Sequence, residues 1–268
     1  MFARQKLILS FIFATTLTSC NLRSTNSSAN SAPSINPGVD RTDVLIYGGI
    51  GSWRPEINSL KETLYSNGAT YNEVKAPELD RMPLNDLIKY RLLVIPGGDA
   101  ETVTKHLSPH THARLREAVQ IEGLDYLGFC AGAWLAVAPA PPPGKDVSYG
   151  IGFVDGPIQQ TNFLYNQGFG FALTTAFFPD GTKRNQLWYG GPITPDVPGG
   201  VIAKYSDGTP AISQIWSGKG LVIISGLHPT ATKSILTRLG IFDTEAIAPD
   251  LAWKILDAGI NKKKLSAF

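Results

Sequence analysis

The sequence holds 268 residues with 24 basic and 22 acidic side chains, and two cysteines, Cys20 and Cys130. Arg4 and Lys6 are the charged residues of the first twenty positions, so the remainder carries 22 of each sign. A balance near zero argues against nucleic acid as a partner. The basic cluster "NKKKL" at 261–265 reads as a solvated helix end.

The chain opens with basic Arg4 and Lys6 and an apolar run from Leu7, the layout of a secretory signal. That run is too short to span a bilayer as a mature helix. It closes on Leu17-Thr18-Ser19-Cys20, which resembles the lipobox of bacterial lipoproteins. The resemblance implies a signal peptide over 1–20, lipidation of Cys20 and a membrane anchor there. Asn21 after the cysteine implies the periplasmic face of the outer membrane, hence a cell-envelope location. Residues 21–41 are rich in Ser, Asn and Pro and read as a disordered tether. A single folded domain is expected over 42–268, with the proline cluster at 138–146 as a loop leaving a short helix.

Along the domain, strands and helices alternate. "DVLIYGG" (43–49) is an apolar run closed by glycines. "PEINSLKETLYSNG" (55–68) has Ile57, Leu60 and Leu64 at helical spacing, with proline at its start and Gly68 as its stop. "YNEVKA" predicts a short strand and "PLNDLIKY" a brief helix. "RLLVIPGGD" (91–99) predicts a second apolar strand, "HTHARLREAVQIEG" (110–123) a helix, and "LDYLGFCAGAW" a strand, turn and helix start. Apolar strands without strict alternation, separated by helices, imply an α/β fold: a mostly parallel, flavodoxin-like sheet with helices on both faces.

The second half differs. From Val147 to Thr209 the chain is rich in Gly, Pro and aromatics, which predicts antiparallel β-structure and loops added to one side of the sheet. "TPAISQIWSGKGLVIISGLHP" predicts two strands around Ser217–Gly220, the second ending at His228. Helices near 231–239 and 249–260 close the chain.

Ligands of parallel α/β sheets bind at the carboxyl ends of strands. "PGGD", "GFCAGAW" and "GLHP" all fall at such ends. Gly128-x-Cys130-x-Gly132 has the pattern of a nucleophile elbow, where glycines permit a tight strand-to-helix turn. Cys130 at a helix N-terminus is placed for thiolate chemistry, the Ala131 N–H faces a developing oxyanion with Gly97 or Gly98 as second donor, and His228 supplies the base.

These segments, "VIPGGD", "YLGFCAGAWLA" and "GKGLVIISGLHP", resemble the signatures of the class I glutamine amidotransferase-like superfamily. With "LIYGGIGS" and "LWYGGP", they most resemble the branch named for the N-terminal domain of biotin-protein ligase. The resemblance implies Cys130 as nucleophile, His228 as base, and Gly98 with Ala131 as oxyanion hole. One departure stands out: the amidotransferases have His-Pro-Glu, and this chain has His228-Pro229-Thr230. Asp99 or Glu101 are alternative third members, with nothing in the sequence to select between them.

No ammonia-accepting domain and no ligase domain follows from the sequence, so hydrolysis of a small-molecule or peptide amide is the expected reaction. The alternative is a catalytically inactive binding or structural module on the same fold. No cofactor is expected: "YGGIGSW" lacks the Gly-x-Gly-x-x-Gly spacing. No metal is expected either, since Pro109 interrupts the register of His106, His110 and His112, which read as a solvated loop. Trp53, Trp134 and Trp188 are candidates to line the pocket or to fill the core.

Overall fold

The computed structural model describes residues 42–137, 150–154, 164, 167–242 and 249–268. All belong to a unit spanning Pro37–Phe268. Cys20, the expected signal peptide and tether, and the proline cluster at 138–146 lie outside the described residues.

The first half alternates as its hydropathy predicts: β1 (Val44–Tyr47), α1 (Arg54–Ser66), β2 (Tyr71–Val74), α2 (Ala76–Arg81), α3 (Leu84–Leu87), β3 (Leu92–Ile95), α4 (Ala100–His106), α5 (Pro109–Gln120), β4 (Asp125–Phe129) and α6 (Ala131–Ala136). Then come β5 (Ala172–Phe177), β6 (Lys183–Trp188), β7 (Val201–Lys204), β8 (Pro210–Ser217), β9 (Gly220–Ser225), β10 (Leu227–His228), α7 (Lys233–Arg238) and α8 (Pro249–Ile260). The strands form one sheet in the order β10-β6-β5-β7-β8-β9-β4-β3-β1-β2. Neighbours from β2 to β9 are parallel, and those from β9 through β8, β7, β5 and β6 to β10 are antiparallel. The antiparallel part is half of the sheet rather than an appendage to a mostly parallel one.

Both faces of the parallel half are covered, which is why its strands read as unbroken apolar runs. Val44, Ile46, Leu92, Val94, Leu127 and Phe129 pack with Ile57, Leu60 and Leu64 of α1 and with Leu251, Ile255 and Leu256 of α8. Their alternate neighbours, including Leu45, Leu93, Ile95 and Tyr126, pack with Leu115, Ala118 and Val119 of α5 and with Ala133, Leu135 and Ala136 of α6.

Three local readings differ from the sequence expectation. The strand after Gly220 does not run unbroken to His228. It stops at Ser225, and Leu227–His228 leaves β9 to pair with Leu187 and Trp188 of β6. Gly226 makes the break, because a Cβ there would lie 2.0 Å from the Pro192 carbonyl oxygen. The histidine-rich stretch is not a loop: His106 ends α4, while Ser108 caps α5 through the Thr111 N–H and Pro109 opens it. Finally, α2 and α4 are short helices where the sequence reading placed none.

Candidate active site

Cys130 follows β4 and is the N-cap residue of α6, with φ 46° and ψ −100°. A non-glycine residue at positive φ is strained and persists only where its surroundings hold it. Here the Cys130 N–H donates to the Ser225 carbonyl at the end of β9, 2.8 Å away. The two flanking glycines are required by close approach. A Cβ on Gly128 would lie 2.4 Å from the Gly132 backbone, and one on Gly132 would lie 2.0 Å from the Ile95 carbonyl oxygen. The elbow is thereby pressed against β3 and lifts the thiol above the sheet edge.

His228 reaches the same point from β10. Its Nδ1 lies 2.9 Å from Oε1 of Glu56, in the first turn of α1, and both side chains are 1% exposed. Glu56 is itself held by two further donors: Thr230 Oγ1 at 3.1 Å on Oε1, and the Gly97 N–H on Oε2. The departure noted after Pro229 is thus compensated in space. Thr230 supplies a hydrogen bond to the acid rather than the acid itself. Of the acids considered from sequence, Asp99 caps α4 through the Thr102 N–H, and Glu101 pairs with Lys105.

With Nδ1 bonded to Glu56, the buried Nε2 has no conventional hydrogen-bond partner among the described residues and is left for Cys130. Burial works against a charged imidazole, but the Glu56 carboxylate and the Cys130 sulfur outweigh it and raise the His228 pKa to about 10. Cys130 is 4% exposed, and its Sγ donates to the Tyr189 carbonyl at 3.2 Å.

The loop after β3 meets the loop after β1. Asp99 N–H donates to the Gly51 carbonyl at 2.8 Å, and Trp53 N–H to the Gly97 carbonyl at 2.7 Å. Gly97 has its N–H on Glu56, which excludes it as an oxyanion donor. The N–H groups of Gly98 and Ala131 bond to nothing among the described residues. Gly51, Ser52, Trp53, Gly98, Cys130, Tyr189 and His228 line a pocket of about 300 Å³. Trp53 is therefore a pocket residue. Trp188 is core, donating to the Gly191 carbonyl, and Trp134 donates to the Gly190 carbonyl beside the pocket.

Among the described residues no group of three or more His, Cys, Asp or Glu is placed to hold a metal. Burial first, then nearby Arg116, hold the His112 pKa below its usual value. Glu56 is the residue that sequence reasoning missed. Its signal was present: the acid lies on the same helical face as Ile57, Leu60 and Leu64, where a charge needs a buried partner.

Residues 42–140 match the family model described as the N-terminal region of biotin-protein ligase. The matched stretch runs from β1 through α6 and contains Cys130 and Glu56 but not His228. No curated protein matches the chain. Among solved structures, an exo-β-1,4-mannosidase from an Opitutaceae bacterium shares 11% identity at a TM-score of 0.42, over 81% of this chain and 36% of that one. A β-galactosidase from the haloarchaeon Halorubrum lacusprofundi shares 17% at 0.42, over 84% of this chain and 30% of that one. A two-domain protein from Anabaena variabilis, with DJ-1/ThiJ/PfpI-like and ferritin-like domains, shares 16% at 0.38, over 82% and 55%. The chain therefore spans between about a third and about half of the length of these proteins.

Proposed function

We propose that the chain is a lipid-anchored cysteine hydrolase that cleaves an amide, with Cys130 as nucleophile, His228 as general acid and base, and Glu56 orienting and charging the imidazole. The observation that carries this reading is the Glu56–His228 contact of 2.9 Å behind Cys130, at a pocket that opens on the thiol. The match of residues 42–140 to the biotin-protein ligase N-terminal family supports a glutamine amidotransferase-like fold. So does the order β2-β1-β3-β4-β9 of the parallel strands, which is that of flavodoxin-like sheets.

The proposed sequence of steps is short. His228 Nε2 takes the Cys130 thiol proton as the sulfur attacks the amide carbon, forming a C–S bond while the carbonyl oxygen gains charge beside the Gly98 and Ala131 N–H groups. Collapse breaks the C–N bond, and His228 gives its Nε2 proton to the leaving amine. Water then adds to the thioester with His228 taking its proton, and the C–S bond breaks to release the acid. Glu56 is a positioning residue: it fixes the tautomer that presents Nε2 and stabilises the imidazolium.

The decisive experiment is peptide-resolved labelling of the full chain with iodoacetamide at neutral pH. Cys130 of the folded protein is expected to label, and His228→Ala to slow it at least tenfold. Labelling that appears only on unfolding, or that ignores His228, defeats the hydrolase reading in favour of a binding module with a buried thiol. That second reading has one observation of its own, the low exposure of Cys130 and its bond to the Tyr189 carbonyl.

The domain arrangement proposed with this function is a signal peptide over 1–20, a tether over 21–41 and a folded domain from 42 onward. Lipid on Cys20 would hold the domain at the periplasmic face of the outer membrane. No helix among the described residues is long and apolar enough to cross a membrane. An alkyne-bearing fatty acid fed to cells is expected to label the chain, and Cys20→Ala to abolish the label.

A further inference from the structure

We infer that the pocket over Cys130 selects an amide whose groups flanking the scissile bond are uncharged and include a flat apolar ring, and that Trp53, Tyr189 and Phe171 read that ring. The inference rests on the hydrolase reading above and gives it a substrate class.

The residues lining the pocket include no Asp, Glu, Lys or Arg, and Cys130 and His228 are engaged in the reaction. Glu56 lies behind His228 with both oxygens accepting hydrogen bonds. The charged side chains nearest in sequence to the lining are paired elsewhere. Arg54 is bonded to Glu73 and to the Gly48 carbonyl, Asp99 to the Thr102 N–H, and Glu101 to Lys105. A carboxylate or ammonium brought in beside the scissile bond would lose its water and meet, among the described lining residues, no charge but that of the His228 imidazole, which Glu56 already pairs. A free amino acid with a side-chain amide carries both such groups within a few bonds of that amide's carbonyl.

One wall of the pocket is aromatic. Trp53 and Tyr189 meet edge to face, with centroids 5.6 Å apart and planes at 86°. Phe171 meets Tyr189 at 5.7 Å and 66°. The rings hold one another edge-on and are not fully covered: Tyr189 remains 41% and Phe171 36% exposed. Such a corner accepts another ring by offset stacking or edge contact, the arrangements aromatic pairs prefer. Trp53 also packs edge to face on the His228 imidazole at 5.2 Å, so the wall begins at the reacting groups. A volume of about 300 Å³ is at the small end of ligand sites. It holds one ring and the amide, with the rest of the substrate outside.

The test uses the full chain and three chloroacetamides, whose nitrogen carries a benzyl group, a carboxymethyl group or an aminoethyl group. In each, the Cys130 sulfur displaces chloride: the C–S bond forms, the C–Cl bond breaks, chloride leaves with the electron pair and the thiol proton passes to solvent. Rates at the Cys130 peptide are divided by each probe's rate with glutathione. The benzyl probe is expected to exceed both charged probes at least tenfold, and Tyr189→Leu and Phe171→Ala each to reduce that preference. Phe171→Ala changes a partly exposed ring and keeps the test informative if the Tyr189 variant fails to fold. Equal corrected rates, or faster reaction of a charged probe, overturn the inference while His228-dependent iodoacetamide labelling leaves the hydrolase reading standing. If iodoacetamide itself fails to label folded Cys130, both fall.

Discussion

Glu56 Oε1 and His228 Nδ1 are 2.9 Å apart across 172 positions of sequence. The contact ties the first turn of α1 to the end of the sheet on the other side of Cys130. A carboxylate suits that turn, because the free N–H groups at a helix start favour negative charge. Thr230 and Gly97 complete its bonding, so the acid is fixed before it meets the imidazole. Ser59, one turn further along α1, donates to the Thr230 carbonyl and locks the same segment.

Replacing the charge while keeping the shape isolates what Glu56 does. In Glu56→Gln the shape is kept, but one oxygen becomes an NH2 donor, so the side chain accepts from Thr230 or from Gly97 and not from both, and the main influence raising the His228 pKa is gone. The imidazole titration, followed by NMR of its ring carbons, is expected to move down from about 10. Iodoacetamide labelling of Cys130 at neutral pH is expected to slow by about tenfold, in line with a proton-transfer partner worth 10²–10⁴ when removed outright. An unchanged titration would mean that the contact is structural only.

The same shift makes stability depend on pH in a defined direction. The His228 pKa is raised from an ordinary 6.5 to about 10 on folding. Between those values the native state holds a proton that the unfolded chain has released. The stabilisation is fully present below pH 6.5 and is lost as pH rises through 10, at about 1.4 kcal/mol per pH unit within the window. Urea midpoints measured from pH 6 to 10 are expected to fall for the natural chain, and more shallowly for Glu56→Gln. Parallel curves for the two proteins would contradict the proposed linkage.

The contrast between Cys130 and Glu56 shows where the sequence was legible. Cys130 and His228 each follow an apolar strand and sit among residues that punctuate backbone, so local pattern and the strand-end rule placed them at one edge. Glu56 lies inside an amphipathic helix, where an acid in the first turn is ordinarily a solvated residue favouring the helix dipole. Only the facing of Ile57, Leu60 and Leu64 marks it as buried, and nothing local names a partner 172 positions away. The same limit explains the β9–β10 break, which is set by Pro192 approaching Gly226, and the histidine stretch, where the Ser108-Pro109 start signal competed with a metal pattern. The antiparallel half was visible in composition, but its extent depended on pairings between distant segments.

Two glycine substitutions are expected to separate stability from reactivity. In Gly97→Ala the new Cβ would meet His228 Cε1 at 2.5 Å and Glu56 Oε2 at 2.8 Å, so the pair must shift. In Gly132→Ala it would meet the Ile95 carbonyl oxygen at 2.0 Å, a backbone atom that cannot turn aside. Overpacking of this kind costs roughly 1–3 kcal/mol, more where the backbone must move. Gly132→Ala is expected to lower the unfolding midpoint more than Gly97→Ala, while Gly97→Ala lowers the labelling rate of a chain that still folds. The reverse order would show that the pocket wall, not the elbow, is the rigid part.

Cys130 itself stores strain that an inactive variant can release. Its φ of 46° is unfavourable for a residue with a Cβ and free for glycine. Strain of this type is worth on the order of 1–3 kcal/mol. Cys130→Ala and Cys130→Gly both lose the thiol and its bond to the Tyr189 carbonyl, so comparing them removes those contributions. Gly widens the unfolded ensemble and loses up to about 1 kcal/mol by doing so, which sets the strain against a known opposing effect. Cys130→Gly is expected to be the more stable of the two by about 1 kcal/mol in urea denaturation, and the ordinary preference for glycine over alanine at an N-cap acts in the same direction. A less stable glycine variant would mean that the elbow geometry is relaxed, and that the placement of the thiol is a consequence of packing rather than a conformation held against its preference.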